Sequence, residues 1–279
     1  MSMNSFHARQ GGRPQPAKAD VKASPERRGL LRADALLARR GLASSRTQAQ
    51  RLIGEGRVLL DGKIIGKPSL ELPADAPLSV TADASDCYVS RGGLKLAGAL
   101  AQTGCNAAGK TCLDVGQSTG GFTDCLLQAG AAHVVGVDVG HGQLHARLKT
   151  DARVTALEGI NCRALTAADL GNTCPAHGFD LIVGDVSFIS MARILPQLPA
   201  LLAENGELLL LIKPQFEVGP QHVGKGGIVR DPALYRKLET RFRKTAAELG
   251  LTVKTWIDSP ITGGDGNREF FLHAVTGEE

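Results

Sequence analysis

The chain lacks any long hydrophobic run. Its longest strongly apolar stretch runs from Leu208 to Ile212, far below the roughly 20 residues that a helix needs to cross a bilayer. Residues 1 to 29 contain no apolar run either, whereas a secretory signal requires one. We therefore expect a cytoplasmic protein with no membrane partner, and we favour a monomer.

Paired cysteines and zinc motifs are also missing. The six cysteines, at positions 87, 105, 112, 125, 162 and 174, form no C-x-x-C pair. This favours reduced, mostly buried thiols over a disulfide framework. His141 and His145 stand four residues apart but lack the glutamate of the H-E-x-x-H zinc motif, so we predict no metal site.

Charge is divided unevenly along the chain. The net charge is +4 over 279 residues, but the first 82 residues carry +7 and the rest carry −3. A basic N-terminal part beside a mildly acidic remainder favours a polyanion partner. Residues 1–29 contain Gly11, Gly12, Pro14, Pro16 and Pro25, which predicts a disordered basic tail, and a solubilising role is the simplest interpretation of it.

Residues 30–82 have the pattern of a compact module. Apolar spacing predicts a helix from Leu30 to Arg40, and a second helix follows with Ser45 and Gln48 as a possible capping box. The Asp61-Gly62 pair between residues 58–60 and 63–65 is typical of a two-residue hairpin turn. Residues 83–90 then suit a linker.

Basic side chains are frequent along this module. Guanidinium groups make bidentate contacts with phosphates, although any single arginine can simply be solvated. The order of two helices and a hairpin resembles, over about fifty residues, the S-four-like RNA-binding domain of ribosomal and RNA-modifying proteins. The RNA-binding candidates that this resemblance and the charge indicate are Arg39, Arg40, Arg46, Arg51, Arg57 and Lys63.

A glycine-rich loop follows a buried strand near residues 111–116 and precedes a helix near 121–129. Glycines let the backbone turn tightly and approach a ligand, and the first turn of a helix presents unpaired amide groups. Asp138 ends the next predicted strand, where an acid can bind both hydroxyls of a ribose. Together these features predict a site for a nucleotide-like cofactor, although a glycine loop can also merely turn the chain.

The loop lacks the G-x-G-x-x-G spacing that seats a dinucleotide pyrophosphate. S-adenosylmethionine (SAM) has no pyrophosphate, so a methyl donor fits better. We assign five loop residues to its methionine end, Asp138 to its ribose and Asn161, near Cys162, to the adenine side. The full cofactor-binding prediction is Asp114, Gly116, Ser118, Thr119, Gly120, Gly121, Asp138 and Asn161.

From residue 91 to 279, predicted strands and helices alternate, including a helix from Met191 to Leu202 and a long helix from Pro232 to Leu249. This alternation predicts an α/β, Rossmann-like domain with a mostly parallel seven-stranded sheet, and its ligand at the carboxyl ends of the strands. The predicted fold is thus this domain, preceded by the small α+β module.

Four charged residues fall near that edge of the sheet. Asp185 and Lys213 each end an apolar strand, Glu269 enters the last strand, and Lys95 lies in the helix before the first. Taken singly, each could cap a strand or hydrogen-bond a turn. Together Lys95, Asp185, Lys213 and Glu269 form a candidate catalytic set.

Four motifs resemble those of the TlyA family: residues 90–95, 114–124, 184–190 and 213–217. The resemblance runs from about residue 30 to 275. It implies an S-four-like domain joined to an FtsJ-like methyltransferase, SAM as cofactor, ribosomal RNA or ribosomal subunits as partner, and 2'-O-methylation of cytidine. It also implies that Lys95, Asp185, Lys213 and Glu269 form the catalytic tetrad. Gln117 departs from the small residue expected at its position.

Several alternatives stay open at this point. Lys213 is either a general base for the ribose hydroxyl or only a stabiliser of the developing alkoxide. Phe188 and Phe216 either stack on an exposed target base or pack in the core. Members of the family are often labelled hemolysins, which suggests a membrane-lytic protein as one rival function. A catalytically idle RNA-binding assembly factor is the other.

Overall fold

The computed structural model describes residues 29–43, 45–82 and 84–277. The chain divides into two compact units, one up to Ala82 and one from Asp83 onward. The predicted basic tail lies outside the described residues, apart from Gly29. Within the described residues, no helix is both long enough and apolar enough to cross a membrane.

In its described residues, the first unit has two helices and five short strands. The elements are β1 (Leu30–Arg32), α1 (Ala33–Arg39), α2 (Arg46–Gly54), β2 (Val58–Leu60), β3 (Lys63–Ile64), β4 (Glu71–Pro73) and β5 (Leu78–Val80). Helix α2 begins after Ser45, whose hydroxyl accepts a hydrogen bond from Gln48 N at 3.1 Å and so caps the first turn, which is one half of the predicted capping box. The sheet order is β3-β2-β5, and β1 pairs separately with β4.

One prediction in this unit is wrong. Residues 30–32, predicted as the start of a helix, form β1, which pairs antiparallel with β4 so that Leu31 lies opposite Leu72. Helix α1 therefore begins only at Ala33. The strand is fixed by a partner about forty residues away, and such tertiary pairing overrides the local helical spacing.

The second unit alternates strands and helices as predicted, except between residues 191 and 202. Its helices are α3 (Gly92–Thr103), α4 (Gly121–Gln128), α5 (Ala146–Lys149), α6 (Ala167–Leu170) and α7 (Pro232–Glu248). Its strands are β6 (Thr111–Val115), β7 (His133–Asp138), β8 (Val154–Glu158), β9 (Phe179–Gly184), β10 (Leu202–Ile212), β11 (Leu251–Asp258) and β12 (Phe270–Thr276).

These seven strands form one sheet in the order β11-β12-β10-β9-β6-β7-β8. Strand β12 runs antiparallel to both of its neighbours, while β10, β9, β6, β7 and β8 pair in parallel. The mostly parallel seven-stranded prediction is confirmed. The carboxyl ends of β6, β7, β9 and β10 therefore meet at one edge, where loops carry function in this architecture.

Strand β10 is buried on both faces of the sheet. Leu208, Leu210 and Ile212 pack into one hydrophobic cluster together with residues of α7, and Leu209 and Leu211 pack into another with residues of α3 and α4. Successive side chains of a strand point to opposite faces. A continuous apolar run thus belongs to a strand buried on both sides.

The segment predicted as a helix from Met191 to Leu202 is instead three consecutive 3₁₀ turns followed by the start of β10. Pro196 and Pro199 lie inside the segment. Proline has no backbone N–H to donate and its ring clashes with the preceding turn, so a regular α-helix cannot continue through these positions.

Candidate active site

The loop between β6 and α4 requires glycine at two positions. Gly116 has φ of 87° and Gly120 has φ of 92°, both in the left-handed region. A Cβ added to Gly116 would lie 2.6 Å from the carbonyl oxygen of Asp185, and one added to Gly120 would overlap Leu148. The loop therefore lies directly against the end of β9, which leaves no room for a side chain.

Asp114 lies beneath this loop as a fully buried carboxyl group. Its Oδ2 accepts hydrogen bonds from the backbone N of Thr123 at 3.0 Å and from the Thr123 hydroxyl at 2.7 Å, whereas its Oδ1 has no hydrogen-bond partner among the described residues. Burial raises the pKa of Asp114 to about 7, and the Thr123 hydrogen bonds oppose this rise.

Asp138 ends β7 and connects two loops. Its Oδ2 accepts from Ser118 N at 2.8 Å and its Oδ1 accepts from Gly140 N at 2.7 Å. Each carboxylate oxygen has a further lone pair, so ligand hydroxyls can still bind. The acid is thereby held at the edge of the sheet next to the glycine loop.

Two neighbouring cavities open at this edge. The larger has a volume of about 610 Å³, and its lining includes four predicted cofactor residues: Gly116, Ser118, Asp138 and Asn161. This volume is in the range of small-molecule sites. The smaller, of about 150 Å³, shares Gly116, Ser118, Asp185 and Ser187 with it and adds Thr119, Gly121 and Lys213. Neither lining includes Asp114 or Gly120, which support the loop from within.

The four candidate catalytic residues form two ion pairs. Lys95 Nζ lies 2.6 Å from Glu269 Oε2, and Lys213 Nζ lies 2.6 Å from Asp185 Oδ1. Lys213 Nζ also donates to Ser187 Oγ at 2.8 Å. The first pair is almost fully buried, with 10% and 2% of the side chains exposed. Asp185 and Lys213 line the smaller cavity, so this pair is in contact with the ligand space.

The glycines around the tetrad bring its elements together. A Cβ on Gly92, in the first turn of α3, would lie 3.7 Å from Asp185 Oδ2, and a Cβ on Gly263 would lie 2.5 Å from Glu269 Oε1. The start of the helix that carries Lys95 therefore lies beside Asp185. The turn before β12 packs more tightly, because a Cβ on Gly263 would overlap the Glu269 carboxylate.

Phe188 is an exposed aromatic side chain at this site. It is 91% exposed, its φ is 64°, and its ring centroid lies 5.5 Å from that of Phe216. Phe188 also lines the larger cavity. An aromatic ring of this exposure is not a core residue, so the core-packing interpretation is wrong for Phe188.

Three polar residues near the cavities were not predicted. Ser187 accepts the hydrogen bond from Lys213, Gln143 Oε1 accepts from Ser118 Oγ at 3.1 Å, and Ser90 Oγ lies against Gly121. Ser187 lies in the motif of residues 184–190 and Ser90 in the motif of residues 90–95. The sequence therefore contained a signal for both serines. The unusual Gln117 is buried and donates to Thr123 Oγ1 at 2.9 Å, which leaves the glycine conformations intact.

In the first unit, the basic candidates differ in their surroundings. Arg57 is 9% exposed and donates to Thr81 O at 2.7 Å, and Arg40 donates to the carbonyl oxygens of Ala74 and Ala76. Such contacts hold the module together. Arg39 and Lys63 are exposed.

Asp34 is the buried acid of this unit. It accepts from Arg32 at 2.9 Å, from Gln50 at 2.8 Å and from Arg46 at 3.3 Å. The Arg32 hydrogen bond, opposed by desolvation and helped by Gln50 and Arg46, holds the pKa of Asp34 well below its usual value. The last of the basic candidates, Arg51, pairs with Glu55 at 3.6 Å.

Two family models match the chain. The FtsJ-like methyltransferase model matches residues 88–275, and the S4 domain model matches residues 31–76. The first of these covers more than half of the chain and contains every residue of the tetrad. The chain belongs to the TlyA family of FtsJ-like methyltransferases.

Named relatives share this family. The chain is 46% identical over 241 residues to the 16S/23S rRNA (cytidine-2'-O)-methyltransferase TlyA of Mycobacterium tuberculosis, covering 86% of this chain and 88% of that protein. It is 36% identical to Hemolysin A of Brachyspira hyodysenteriae, covering 88% of this chain and 100% of that protein. The solved structure of a Streptococcus thermophilus protein assigned as a hemolysin is 37% identical, with a TM-score of 0.70 and 90% coverage of each chain.

Proposed function

We propose that this methyltransferase transfers the methyl group of SAM to the 2'-hydroxyl of a cytidine in ribosomal RNA. The observation that carries the proposal is the Lys213–Asp185 ion pair, which lines a cavity directly beside the glycine loop. The M. tuberculosis relative, at 46% identity, has this activity in its name.

The residues around the larger cavity fit the methyl donor. Gly116 and Ser118 of the glycine loop line this cavity at the position proposed for the methionine end of the donor, and Asp138 suits its ribose. Asn161 lines the same cavity on the side proposed for the adenine. The donor supplies an activated methyl group on a positively charged sulfur.

Lys213 is the residue proposed to act on the attacking hydroxyl. Its Nζ is ion-paired with Asp185 Oδ1 at 2.6 Å and donates a hydrogen bond to Ser187 Oγ at 2.8 Å. An ammonium group has three N–H donors, so one donor can face the ribose oxygen. A donor held at this position stabilises the negative charge that develops on that oxygen as its proton passes to solvent and the methyl group bonds to it, which leaves the methyl donor as a neutral thioether. This role needs no movement of the ion pair.

The Lys95–Glu269 pair then acts as a fixed part of the site. Its two charges are nearly fully buried and neutralise each other at 2.6 Å. Buried pairs of this kind hold their elements in a single arrangement. We propose that the pair orients the start of α3 next to Asp185, and that in-line positioning of the two substrates supplies much of the acceleration.

The RNA side of the proposal rests on the S4 domain and on Phe188. Exposed Arg39 and Lys63 are the members of the basic set best placed to contact phosphates without loss of folding contacts. Phe188 offers an exposed ring at the cavity, where an unstacked base can be held while its ribose reacts.

Some relatives are named hemolysins, which suggests membrane lysis as a second candidate function. In the described residues, the apolar face of α7, formed by Leu234, Leu238, Phe242 and Ala246, is buried in the unit rather than available to a lipid surface. Leakage of dye from liposomes on addition of the protein would support the membrane-lytic alternative.

The test is transfer of a labelled methyl group from SAM to ribosomal subunits purified separately from cells that lack the modification. We expect labelling of one or both subunits by the wild-type protein and a decrease of about 100-fold or more in the rate with Lys213→Ala. The control is Lys110→Ala, because Lys110 is ion-paired with Glu207 before β6, away from the cavities. Measurable SAM binding without transfer to either subunit would refute the proposal as stated.

A further inference from the structure

Glu217 is a buried carboxylate that the proposed transfer does not use. Its side chain is 1% exposed. Its Oε2 accepts from Ser190 Oγ at 2.7 Å and from Arg241 Nη2 at 2.5 Å, and its Oε1 accepts from Met191 N at 2.6 Å. One carboxylate thus connects the loop after β9, the turn after β10 and helix α7.

The two segments that Glu217 joins are those that carry the catalytic ion pair. Asp185 begins the loop after β9, and Lys213 directly precedes the turn after β10. Closer to the cavity these segments are joined by the Lys213 contacts with Asp185 and Ser187, and by the ring contact of Phe188 with Phe216. Glu217 adds a third connection between the two segments, through its hydrogen bonds with Ser190 and Met191.

The backbone conformation of Phe188 is unfavourable for its residue type. Its φ of 64° is in the left-handed region, which is unfavourable for a residue with a side chain. The ring is 91% exposed, so it gains little from burial. A strained residue keeps its conformation when its surroundings fix it. Two and three residues later, Ser190 and Met191 are fixed by Glu217.

The surroundings of Glu217 are specific for a carboxylate. Burial raises its pKa, while Ser190, Arg241 and the amide of Met191 oppose the rise by stabilising the anion. Arg241 also donates to the backbone oxygen of Glu217 at 3.1 Å. A neutral amide at this position would keep the shape but would place an NH₂ group against one of these donors.

We propose that Glu217 is a positioning residue: it holds the loop after β9 so that Asp185 and Phe188 are placed for the reaction at Lys213. The inference rests on the proposed methyl transfer, which it deepens. Because Glu217 is outside the cavity linings, it acts through the segments that it joins rather than by touching the substrates.

The test compares Glu217→Gln with Glu207→Gln. Glu207, in the middle of β10, is the control, because it is another partly buried acid with polar partners: it accepts from Lys110 at 2.7 Å and contacts His273 Nε2 at 2.7 Å. We expect Glu217→Gln to lower kcat on the order of 10- to 100-fold, with the Kd of SAM changed less than about threefold. Glu207→Gln should leave kcat within about twofold of the wild type.

Hydrogen exchange separates positioning from general destabilisation. We expect faster exchange in residues 186–191 of Glu217→Gln, with unchanged exchange in the central strands β6 and β9. Ser190→Ala, which removes one donor to Glu217 and is a milder change, should shift kcat and exchange in the same direction by less. This measurement needs no methyl transfer, so it also tests the anchor if the wild type proves inactive on ribosomal subunits.

Two results would overturn the inference. One is a folded Glu217→Gln protein with wild-type kcat. The other is a decrease in kcat that is matched by Glu207→Gln and accompanied by faster exchange throughout the sheet. Either would make Glu217 an ordinary buried ion-pair partner.

Discussion

Lys95 Nζ lies 2.6 Å from Glu269 Oε2, although the two residues are 174 positions apart in the chain. The contact joins α3, which precedes the sheet, to the turn before β12, its last strand. Because both side chains are almost fully buried, neither charge can lose its partner without a large desolvation cost.

This relationship predicts how single and double substitutions differ. Lys95→Met leaves the Glu269 carboxylate buried and unpaired, so we expect a loss of about 3–5 kcal/mol in the free energy of unfolding. The double variant Lys95→Met with Glu269→Leu removes both charges and should recover most of that stability. Urea unfolding of the three proteins measures the effect.

Methyl transfer by the same double variant then separates folding from catalysis. If the pair is needed for the reaction as well as the fold, the double variant should be stable but inactive. A stable double variant with wild-type transfer rates would mean that the pair serves folding alone.

A second prediction concerns the glycine loop. Gly116→Ala places a Cβ 2.6 Å from the Asp185 carbonyl oxygen at a φ of 87°, so we expect the loop to move and the Kd of SAM to rise by about tenfold or more. Isothermal titration calorimetry measures it. Gly104→Ala is the matched control, because Gly104 has a φ of 72° but no atom within 4 Å of an added Cβ. Equal SAM affinity in both variants would contradict the proposed role of the loop.

The third prediction is a pH dependence that originates at Asp114. Burial raises the folded-state pKa of Asp114 to about 7. Between about pH 4 and pH 7 the folded protein therefore retains a proton that the unfolded chain has released, and the stability contributed by Asp114 falls as the pH rises through this window.

Asp114→Asn removes this titration. We compare the free energy of unfolding of the wild type with that of Asp114→Asn. Between pH 4 and pH 7 we expect the wild-type value to fall by about 4 kcal/mol relative to that of the variant. Denaturant unfolding of both proteins across this range, without SAM, gives the difference. A difference that is constant with pH, or that grows in favour of the wild type, would contradict the pKa of Asp114.

The fourth prediction separates two kinds of basic residue in the S4 domain. Arg39→Ala or Lys63→Ala should weaken RNA binding and reduce its dependence on salt, with little change in stability, because both residues are exposed. Arg57→Ala should instead destabilise the domain by about 1–3 kcal/mol, since Arg57 is buried and donates to Thr81 O. Filter binding at several salt concentrations, beside thermal unfolding, distinguishes the two. If Arg57→Ala were as stable as the wild type and lost more RNA binding than Arg39→Ala or Lys63→Ala, Arg57 would be the RNA-binding residue and this prediction would be wrong.

Much of the second unit could be predicted from the sequence because its signals are local. The apolar strand that ends at Asp138, the one that ends directly before Asp185 and the glycine loop that begins at Gly116 are visible as short patterns. The rule that parallel strands meet at one edge then brings these residues together. The structure adds which lysine pairs with which acid, and sequence spacing alone carries no information on that choice.

The predictions that proved wrong have different physical causes. Leu31 is in a strand because its partner Leu72 is distant in sequence, so no local pattern could indicate it. The segment around Pro196 and Pro199 did contain its own signal, but the apolar spacing was given more weight than the two prolines. The role inferred for Glu217 depends on its contact with Arg241 in α7, so no local sequence pattern could indicate it either.

The chemical identity of the methylated nucleoside tests the central claim most directly. Ribosomal RNA labelled by the wild-type protein should yield 2'-O-methylcytidine after digestion to nucleosides and mass spectrometry, and RNA treated with Lys213→Ala should yield none above background. A cytidine methylated on its base, or 2'-O-methylcytidine formed equally well by Lys213→Ala, would contradict transfer to a ribose hydroxyl at the Lys213–Asp185 pair.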